Sequence, residues 1–250
     1  KLLGFLANFD CHPVVGGQRS RYIHGDYCGV AVNHLEAEHP GASGLFLQGA
    51  NGDVNSCVVH KSEEESLRGL DVVAERFRRA VSRGLADAAP FPADVLRRAA
   101  RDVAFTRRPC SLDDLRGRLQ KYEAELRSVK PGAGIGDADP STRLNAVWAV
   151  ALRRLIAKME AGVSVATPTE IGGLRLGALR ILGSGFETFQ AVKKEVVAQA
   201  GGGPVWVCSM VNDGVGYAPD ATCAKRGGYA ADFEPILNGT WPYANVTEEL

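Results

Sequence analysis

The stretch Asn8-Phe9-Asp10-Cys11-His12-Pro13 ends an apolar run formed by Leu2, Leu3, Phe5 and Leu6. A second stretch repeats this pattern, because Leu45-Phe46-Leu47 leads into Gln48-Gly49-Ala50-Asn51-Gly52-Asp53-Val54-Asn55. An apolar strand that stops at a cluster of polar and glycine residues is typical of the sheet edge where an α/β protein gathers reactive side chains. Pro13 biases His12 away from helical backbone geometry. The two stretches therefore predict strands of an α/β fold whose ends carry the functional residues.

The composition is that of an ordinary globular protein, with 250 residues, 45% hydrophobic and 23% charged. Lys plus Arg and Asp plus Glu each number 29, so the net charge is zero. The chain therefore has no overall excess of positive charge that would indicate binding to nucleic acid or to an anionic membrane surface. No apolar run approaches the roughly 20 residues of a membrane-spanning helix. We expect a single α/β domain over residues 1–250 and, because the sequence opens inside a strand without Met, the later part of a longer catalytic domain.

The order of elements predicts a layered mixed β-sheet covered by helices, with a helical block in the middle third. Predicted helices are Asp26–Glu38 with Asp26 as its cap, 62–85, 111–128, 141–161 and 187–199. Predicted strands are 2–9, 44–48, Leu96–Phe105, Val163–Thr167, Leu174–Leu182 and Pro204–Val211. The segment 213–229 is predicted to be a loop. The glycines at 132–136 superficially resemble a phosphate loop, but no strand precedes them and no Lys-Ser/Thr pair follows.

The six cysteines form no CxxC pair and no zinc-finger spacing. Several lie in apolar contexts, such as Cys208 after Trp206-Val207. This favours buried free thiols, although disulfides are compatible with the sequence. A cysteine hydrolase built on Cys11 is disfavoured, because adjacent side chains of an extended segment point to opposite faces and Cys11 cannot pair with His12.

Candidate chemistry lies where predicted strands end: at His12, in the loop of Asn51, Asp53 and Asn55, and at Tyr217, with Glu187 at a predicted helix start. An imidazole, a carboxylate and a phenol are ligands that suit Zn²⁺ with one position left for water. Zinc lowers the pKa of that water to about 7, which permits attack on an amide or ester. The Asn-x-Asp-x-Asn spacing also resembles the start of a calcium loop, but the following Gly and the distant Glu are missing.

These motifs, taken in order, resemble those of the neutral/alkaline (non-lysosomal) ceramidase family. The resemblance spans nearly the whole chain and is weakest at 61–161. It is carried by Asn8-Phe-Asp-Cys-His12-Pro, His24-Gly-Asp26-Tyr27-Cys-Gly29, Phe46-Leu-Gln-Gly-Ala-Asn-Gly-Asp53-Val, Gly185-Phe186-Glu187-Thr188-Phe189, Gly216-Tyr217-Ala218-Pro219 and Gly227-Gly228-Tyr229.

The resemblance implies a zinc-dependent hydrolase that cleaves the amide bond of an N-acyl lipid or related small molecule by attack of metal-bound water. His12, Glu187 and Tyr217 would be zinc ligands, and Tyr229 would donate a hydrogen bond to the tetrahedral intermediate. The loop with Gly49, Asn51, Asp53 and Asn55 would shape the substrate pocket. The resemblance also implies a secreted or periplasmic protein, whereas the cysteines do not decide the compartment.

Three departures from the family pattern keep alternatives open. The second histidine of the family's zinc site belongs to a His-x-His motif before the start of this sequence, so a missing N-terminal segment is expected to complete the site. Asn55 stands where ceramidases have Ser, with Ser56 one position later, and the turn before Glu187 is one residue longer. The chain could instead be a catalytically inactive, ceramidase-like binding or scaffold module. Individually, Glu187 could be a helix N-terminal carboxylate, Tyr217 a packed aromatic, and Asp53 an acceptor that braces its loop.

Overall fold

A computed structural model describes residues 1–17, 20, 22–128, 140–166, 168–244 and 246–250. The chain folds into two compact units. Unit 1 comprises Lys1–Arg101 and Ile171–Asn212, and unit 2 comprises Asp102–Glu170 and Asp213–Leu250. The glycine segment 132–136 lies outside the described residues.

The described strands and helices alternate along much of the chain, as the sequence predicts for an α/β fold. The strands are β1 Gly4–Phe9, β2 Ser43–Gln48, β3 Leu96–Val103, β4 Thr169–Leu176, β5 Leu179–Ser184, β6 Phe186–Thr188, β7 Val205–Cys208 and β8 Gly216–Ala218. The helices are α1 Asp26–Glu38, α2 Glu63–Ala86, α3 Leu112–Arg127, α4 Pro140–Glu160, α5 Gln190–Gln199, α6 Ala221–Arg226, α7 Glu234–Leu237 and α8 Val246–Glu249, with a π-helical turn at Tyr229–Phe233.

In unit 1, β1 and β2 pair in parallel, with Gly4 opposite Ser43 and Phe9 opposite Gln48. Both strands therefore end at the same edge, and the polar stretches that follow them leave the sheet side by side. Side chains of β1 alternate between buried and exposed positions rather than being buried on both faces. Its buried residues, Phe5 and Ala7, mark the face that turns inward.

Helices α1 and α2 pack against each other, and their buried residues share a core with β1. Tyr27 of α1 is fully buried, and its ring meets those of Phe46 and Phe77 edge to face at centroid distances of 6.3 and 5.7 Å. Helix α2 begins at a capping box, in which Ser62 and Glu65 each bond the other's backbone N–H. Local cap chemistry thus fixes where α2 begins, and aromatic packing fixes where the helix pair lies.

A mixed four-stranded sheet has the order β3-β4-β5-β7, in which β4 and β5 are antiparallel and β5 and β7 are parallel. The prediction of one strand over Leu174–Leu182 is wrong, because Gly177 has a φ of 55° and turns the chain back between β4 and β5. Such a left-handed conformation suits glycine. The sequence does not indicate this turn, because the residues around Gly177 are largely apolar. The prediction of a strand at Val163–Thr167 is also wrong for its described residues 163–166, and β4 begins at Thr169 instead.

Unit 2 has a core built mainly by α3, α4 and α7. Leu115, Leu152 and Leu155 are almost completely buried there, and Trp241 joins them. Ser111 caps α3 by accepting a hydrogen bond from Asp114 N at 3.1 Å. The predicted helical block in the middle third is confirmed in α3 and α4. The prediction of a loop over 213–229 is wrong, since β8 and α6 lie within it.

No helix among the described residues is long and apolar enough to cross a bilayer.

Candidate functional site

His12 lies three residues beyond the end of β1, in a short segment held by the loop that follows β2. Its backbone N–H donates to Val54 O at 2.9 Å, and its ring Nδ1 lies 3.2 Å from the same carbonyl oxygen. Because a carbonyl only accepts, Nδ1 carries the proton of this hydrogen bond. The ring is thereby held by the loop through Nδ1, which leaves Nε2 for a different partner.

Nε2 of His12 lies 2.5 Å from Oε2 of Glu187, a residue 175 positions later in the sequence. The two side chains are 16% and 19% exposed, so the pair is largely shielded from solvent. Glu187 is the middle residue of β6, three residues before α5 begins. The alternative role of Glu187 as a helix N-terminal carboxylate is therefore not what the structure shows: its carboxylate binds an imidazole.

The environment of His12 favours its protonated form. Burial by itself lowers the pKa of His12, but the hydrogen bond and charge of Glu187 raise it, and the backbone carbonyls of Val54 and Asn51 add to that effect. The net result is a pKa above the ordinary value of a histidine. In the structure as it stands, His12 and Glu187 form a charge-assisted pair.

The Gly49–Asp53 loop, predicted to shape the pocket, is fixed to the segment around Glu187. Gly52 N donates to Thr188 O at 2.9 Å, and Gln190 N donates to Asp53 Oδ1 at 2.8 Å. Asp53 thus acts as the loop-bracing acceptor that the sequence suggests. A side chain at position 52 would collide with the backbone of Glu187 and the ring of Phe189, so the close approach requires glycine.

Asp10 and Lys193 form a second charged pair at this site, which the sequence does not predict. Asp10 Oδ1 accepts from Ala50 N at 2.9 Å, while Oδ2 pairs with the ammonium of Lys193 on α5. Asp10 therefore joins the end of β1 to both the loop and α5. Its spacing of two from His12 along an extended segment could have indicated a shared side. Nothing in the sequence points to Lys193.

Asn55 and Ser56, the positions compared with the ceramidase Ser, differ in burial. Asn55 is exposed, whereas Ser56 is buried and its Oγ accepts from Val58 N at 3.2 Å. The Ser56 hydroxyl therefore braces the turn after the loop.

Asp26 is the first residue of α1 and does not cap it, contrary to prediction; Gly25 occupies the cap position. Its carboxylate accepts instead from Val15 N at 3.3 Å and Gly16 N at 2.7 Å. The Asp26 side chain points toward residues 15 and 16 because their backbone N–H groups need an acceptor.

Tyr217 and Tyr229 belong to unit 2, where their ring centroids lie 6.0 Å apart in an edge-to-face arrangement. Tyr217 lies in β8, and Tyr229 opens the π-helical turn. Asp232 holds that turn, because its Oδ2 accepts from Gly228 N at 2.6 Å and its Oδ1 pairs with Arg108. The structure thus groups the predicted site residues as His12, Glu187 and the loop in unit 1, and the two tyrosines in unit 2.

The two donor types that meet in unit 1, an imidazole nitrogen and a carboxylate oxygen, are types that zinc binds. Histidines that bind metals commonly donate their other ring N–H to a backbone carbonyl, as His12 Nδ1 does to Val54. The Glu187 carboxylate, which contacts Nε2, would be a second donor. Among the described residues, no group of three or more His, Cys, Asp or Glu side chains is arranged to hold a metal. A zinc ion at this pair would therefore need ligands in addition to His12 and Glu187.

The solved structures that resemble this chain include two ceramidases. The first is neutral ceramidase from Pseudomonas aeruginosa, with a TM-score of 0.62 and 16% sequence identity over 99% of this chain and 42% of that chain. The second is a ceramidase complexed with C2, with a TM-score of 0.63 and 16% identity over 99% of this chain and 44% of that chain. The chain has a ceramidase-like fold.

This ceramidase-like chain spans less than half the length of either solved structure. Its sequence matches no family model and no curated protein. The resemblance that the sequence motifs predict is therefore confirmed at the level of the fold, for a divergent chain. Disulfides were compatible with the sequence, but all six cysteines are free thiols.

Proposed function

We propose that this chain is part of a zinc-dependent hydrolase that cleaves the amide bond of an N-acyl lipid or a related small molecule. The observation that carries the proposal is the contact between His12 Nε2 and Glu187 Oε2 at 2.5 Å, at an edge where parallel strands end. The ceramidase-like fold supports the choice of an amide substrate, because both similar structures are ceramidases.

In this proposal, His12 and Glu187 would hold the zinc ion, and its further ligands would come from residues other than this pair in the full-length protein. A bound zinc ion supplies a Lewis acid and lowers the pKa of water to about 7, which makes amide hydrolysis feasible at neutral pH. The hydrogen bond from Nδ1 to Val54 O fixes the ring orientation, so that Nε2 would present a lone pair to zinc once its proton is released. The ligand role of Tyr217 and the hydrogen-bond-donor role of Tyr229 stay predictions from the family resemblance, because both residues belong to unit 2.

The chain's own residues also keep this site rigid. Asp53 and Gly52 tie the loop after β2 to the segment of Glu187, and Asp10 ties it to α5. A site whose ligands are fixed by a second set of hydrogen bonds loses little entropy when a metal or substrate binds.

Metal analysis of the full-length protein tests the proposal. We expect about one zinc per chain in the wild type, loss of that zinc in His12→Ala, and retention in His34→Ala, whose side chain is exposed on α1. Full zinc occupancy in His12→Ala would sink the metal assignment. Zinc binding without turnover of any N-acyl amide would favour the alternative, an inactive binding module.

A further inference from the structure

Asn51 is a buried amide whose two polar side-chain atoms are unpaired. The residue is 1% exposed, and neither Oδ1 nor Nδ2 has a hydrogen-bond partner among the residues that the structure describes. A buried amide left without partners costs about 1–3 kcal/mol, and most buried polar atoms in proteins are paired. The chain thus retains a costly group in the middle of the loop that contacts both His12 and the segment of Glu187.

The residues beside Asn51 are firmly held, so the loop cannot simply turn the amide toward solvent. Ala50 N donates to Asp10 Oδ1 at 2.9 Å, and Gly52 N donates to Thr188 O at 2.9 Å. Val54 N donates to the Asn51 carbonyl at 2.9 Å, which closes a tight turn. The loop is fixed by hydrogen bonds along its backbone and unpaired at one side chain, which is the pattern of a preorganised binding group.

This side chain belongs to a residue adjacent to the proposed reaction centre. The turn closed by Asn51 and Val54 presents the carbonyl that binds both N and Nδ1 of His12. The backbone carbonyl of Asn51 itself acts on the His12 imidazole. A substrate linkage positioned at His12 and Glu187 therefore lies beside the Asn51 loop.

We propose that Asn51 is a specificity residue whose Oδ1 accepts a hydrogen bond from the N–H of the substrate amide. The inference rests on the proposed function, in which the substrate amide is placed at His12 and Glu187 with its carbonyl oriented for hydrolysis. A trans amide directs its N–H opposite to its carbonyl, so the N–H needs a separate acceptor, and Oδ1 is an unused one. Nδ2 is then available to an oxygen atom of the amine part of the substrate.

The inference predicts selection of amides over esters. An ester of the same shape has no N–H, so it leaves Oδ1 unpaired when it binds. Sites built around a hydrogen bond discriminate strongly against analogues that lack it. This preference opposes intrinsic reactivity, since esters are the easier bonds to hydrolyse. It therefore reports on the binding group rather than on the chemistry.

The test compares the full-length wild type with Asn51→Leu, which preserves approximate volume and removes both polar atoms. The substrates are an N-dodecanoyl long-chain amino alcohol and its matched dodecanoyl ester. We expect Asn51→Leu to lower kcat/KM for the amide about 10- to 100-fold and to change the ester less than about threefold. Zinc content should be unchanged, and the thermal midpoint equal or higher, because an unpaired buried amide has been removed.

Asn33→Leu, at an exposed position of α1, is the matched control. It should change neither the amide-to-ester ratio of kcat/KM nor the thermal midpoint of unfolding. An unchanged amide-to-ester ratio in Asn51→Leu would overturn the inference while leaving the proposed function intact. A lowered thermal midpoint would overturn it as well, since Asn51 would then be a structural residue. If the zinc-loaded wild type hydrolyses neither substrate, the proposed function itself fails, and the inference fails with it.

Discussion

His12 and Glu187 contact each other through Nε2 and Oε2 at 2.5 Å, although 175 positions separate them in the sequence. The contact exists because two chain segments meet beyond the sheet: His12 follows β1, and Glu187 lies in β6 directly after β5. Hydrogen bonds from Gly52 to Thr188 and from Gln190 to Asp53 join the two segments independently of the pair. Variants that remove these supporting hydrogen bonds can therefore be tested separately from variants of His12 and Glu187.

Asp10 is predicted to hold the loop after β2 in place. Asp10→Ala should lower the free energy of unfolding by about 2 kcal/mol, because the Ala50 N–H loses a charged acceptor and Lys193 loses its partner. Asp10→Asn keeps an acceptor for Ala50 and should have a smaller effect. Hydrogen exchange at the Ala50 amide and urea denaturation measure the two effects. Unchanged protection of Ala50 in Asp10→Ala would contradict this role.

Gly52 is predicted to tolerate no side chain. A Cβ at this position would lie 2.6 Å from the ring of Phe189 and closer still to the Glu187 carbonyl. Gly52→Ala should therefore destabilise the protein by about 2–3 kcal/mol, because the Glu187 segment must move. Gly84→Ala is the matched control, since it lies in α2 with open space around it and should stabilise by up to about 1 kcal/mol. Equal unfolding midpoints for the two variants would argue against the close approach.

Cys208 is predicted to be unreactive in the folded protein. Burial, with a smaller contribution from the charge of Asp10, raises the pKa of Cys208 to about 11, so only about 0.1% of it is thiolate at pH 8. Cys57, by contrast, is exposed. Titration with a chromogenic disulfide should count one fast-reacting thiol fewer in Cys57→Ser than in the wild type. The count for Cys208→Ser should equal that of the wild type. Fast labelling of Cys208 before unfolding would show that its surroundings open.

Asp232 is predicted to make stability depend on pH. Burial alone raises its pKa, but the Gly228 N–H and the Arg108 guanidinium outweigh that effect, so the net pKa lies below the ordinary value. A depressed carboxyl pKa stabilises the fold above the unfolded-state pKa of about 3.9, and that stability is lost as pH falls through the folded-state pKa.

Asp232→Asn should thus cost about 1–2 kcal/mol at pH 7 and much less at pH 3, as measured by chemical denaturation at both pH values. Asp113→Asn is the control, because the Asp113 side chain is 94% exposed, and it should change stability by less than about 0.5 kcal/mol. A loss in Asp232→Asn of the same size at both pH values would show that the charge of Asp232 is not what matters.

The amino-acid sequence by itself determines those features that depend on neighbouring residues. Ser62 and Glu65 lie three positions apart and form the capping box that begins α2, and Ser111 caps α3 for the same local reason. The strand ends before Asp10 and Gly49 follow from apolar runs that stop at polar clusters. Even the wrong strand prediction over Leu174–Leu182 has a local cause, because the backbone of Gly177 turns within a largely apolar run.

Tertiary structure alone decides which side chains meet. Asp26 is predicted to cap its own helix but binds residues 15 and 16, and Asp10 finds Lys193 on a helix far along the chain. The pairing of His12 with Glu187 likewise depends on strand register and on a loop fixed by distant hydrogen bonds. Caps and strand ends follow from interactions within a few residues, whereas the site follows from packing across the fold, which no short stretch of sequence encodes.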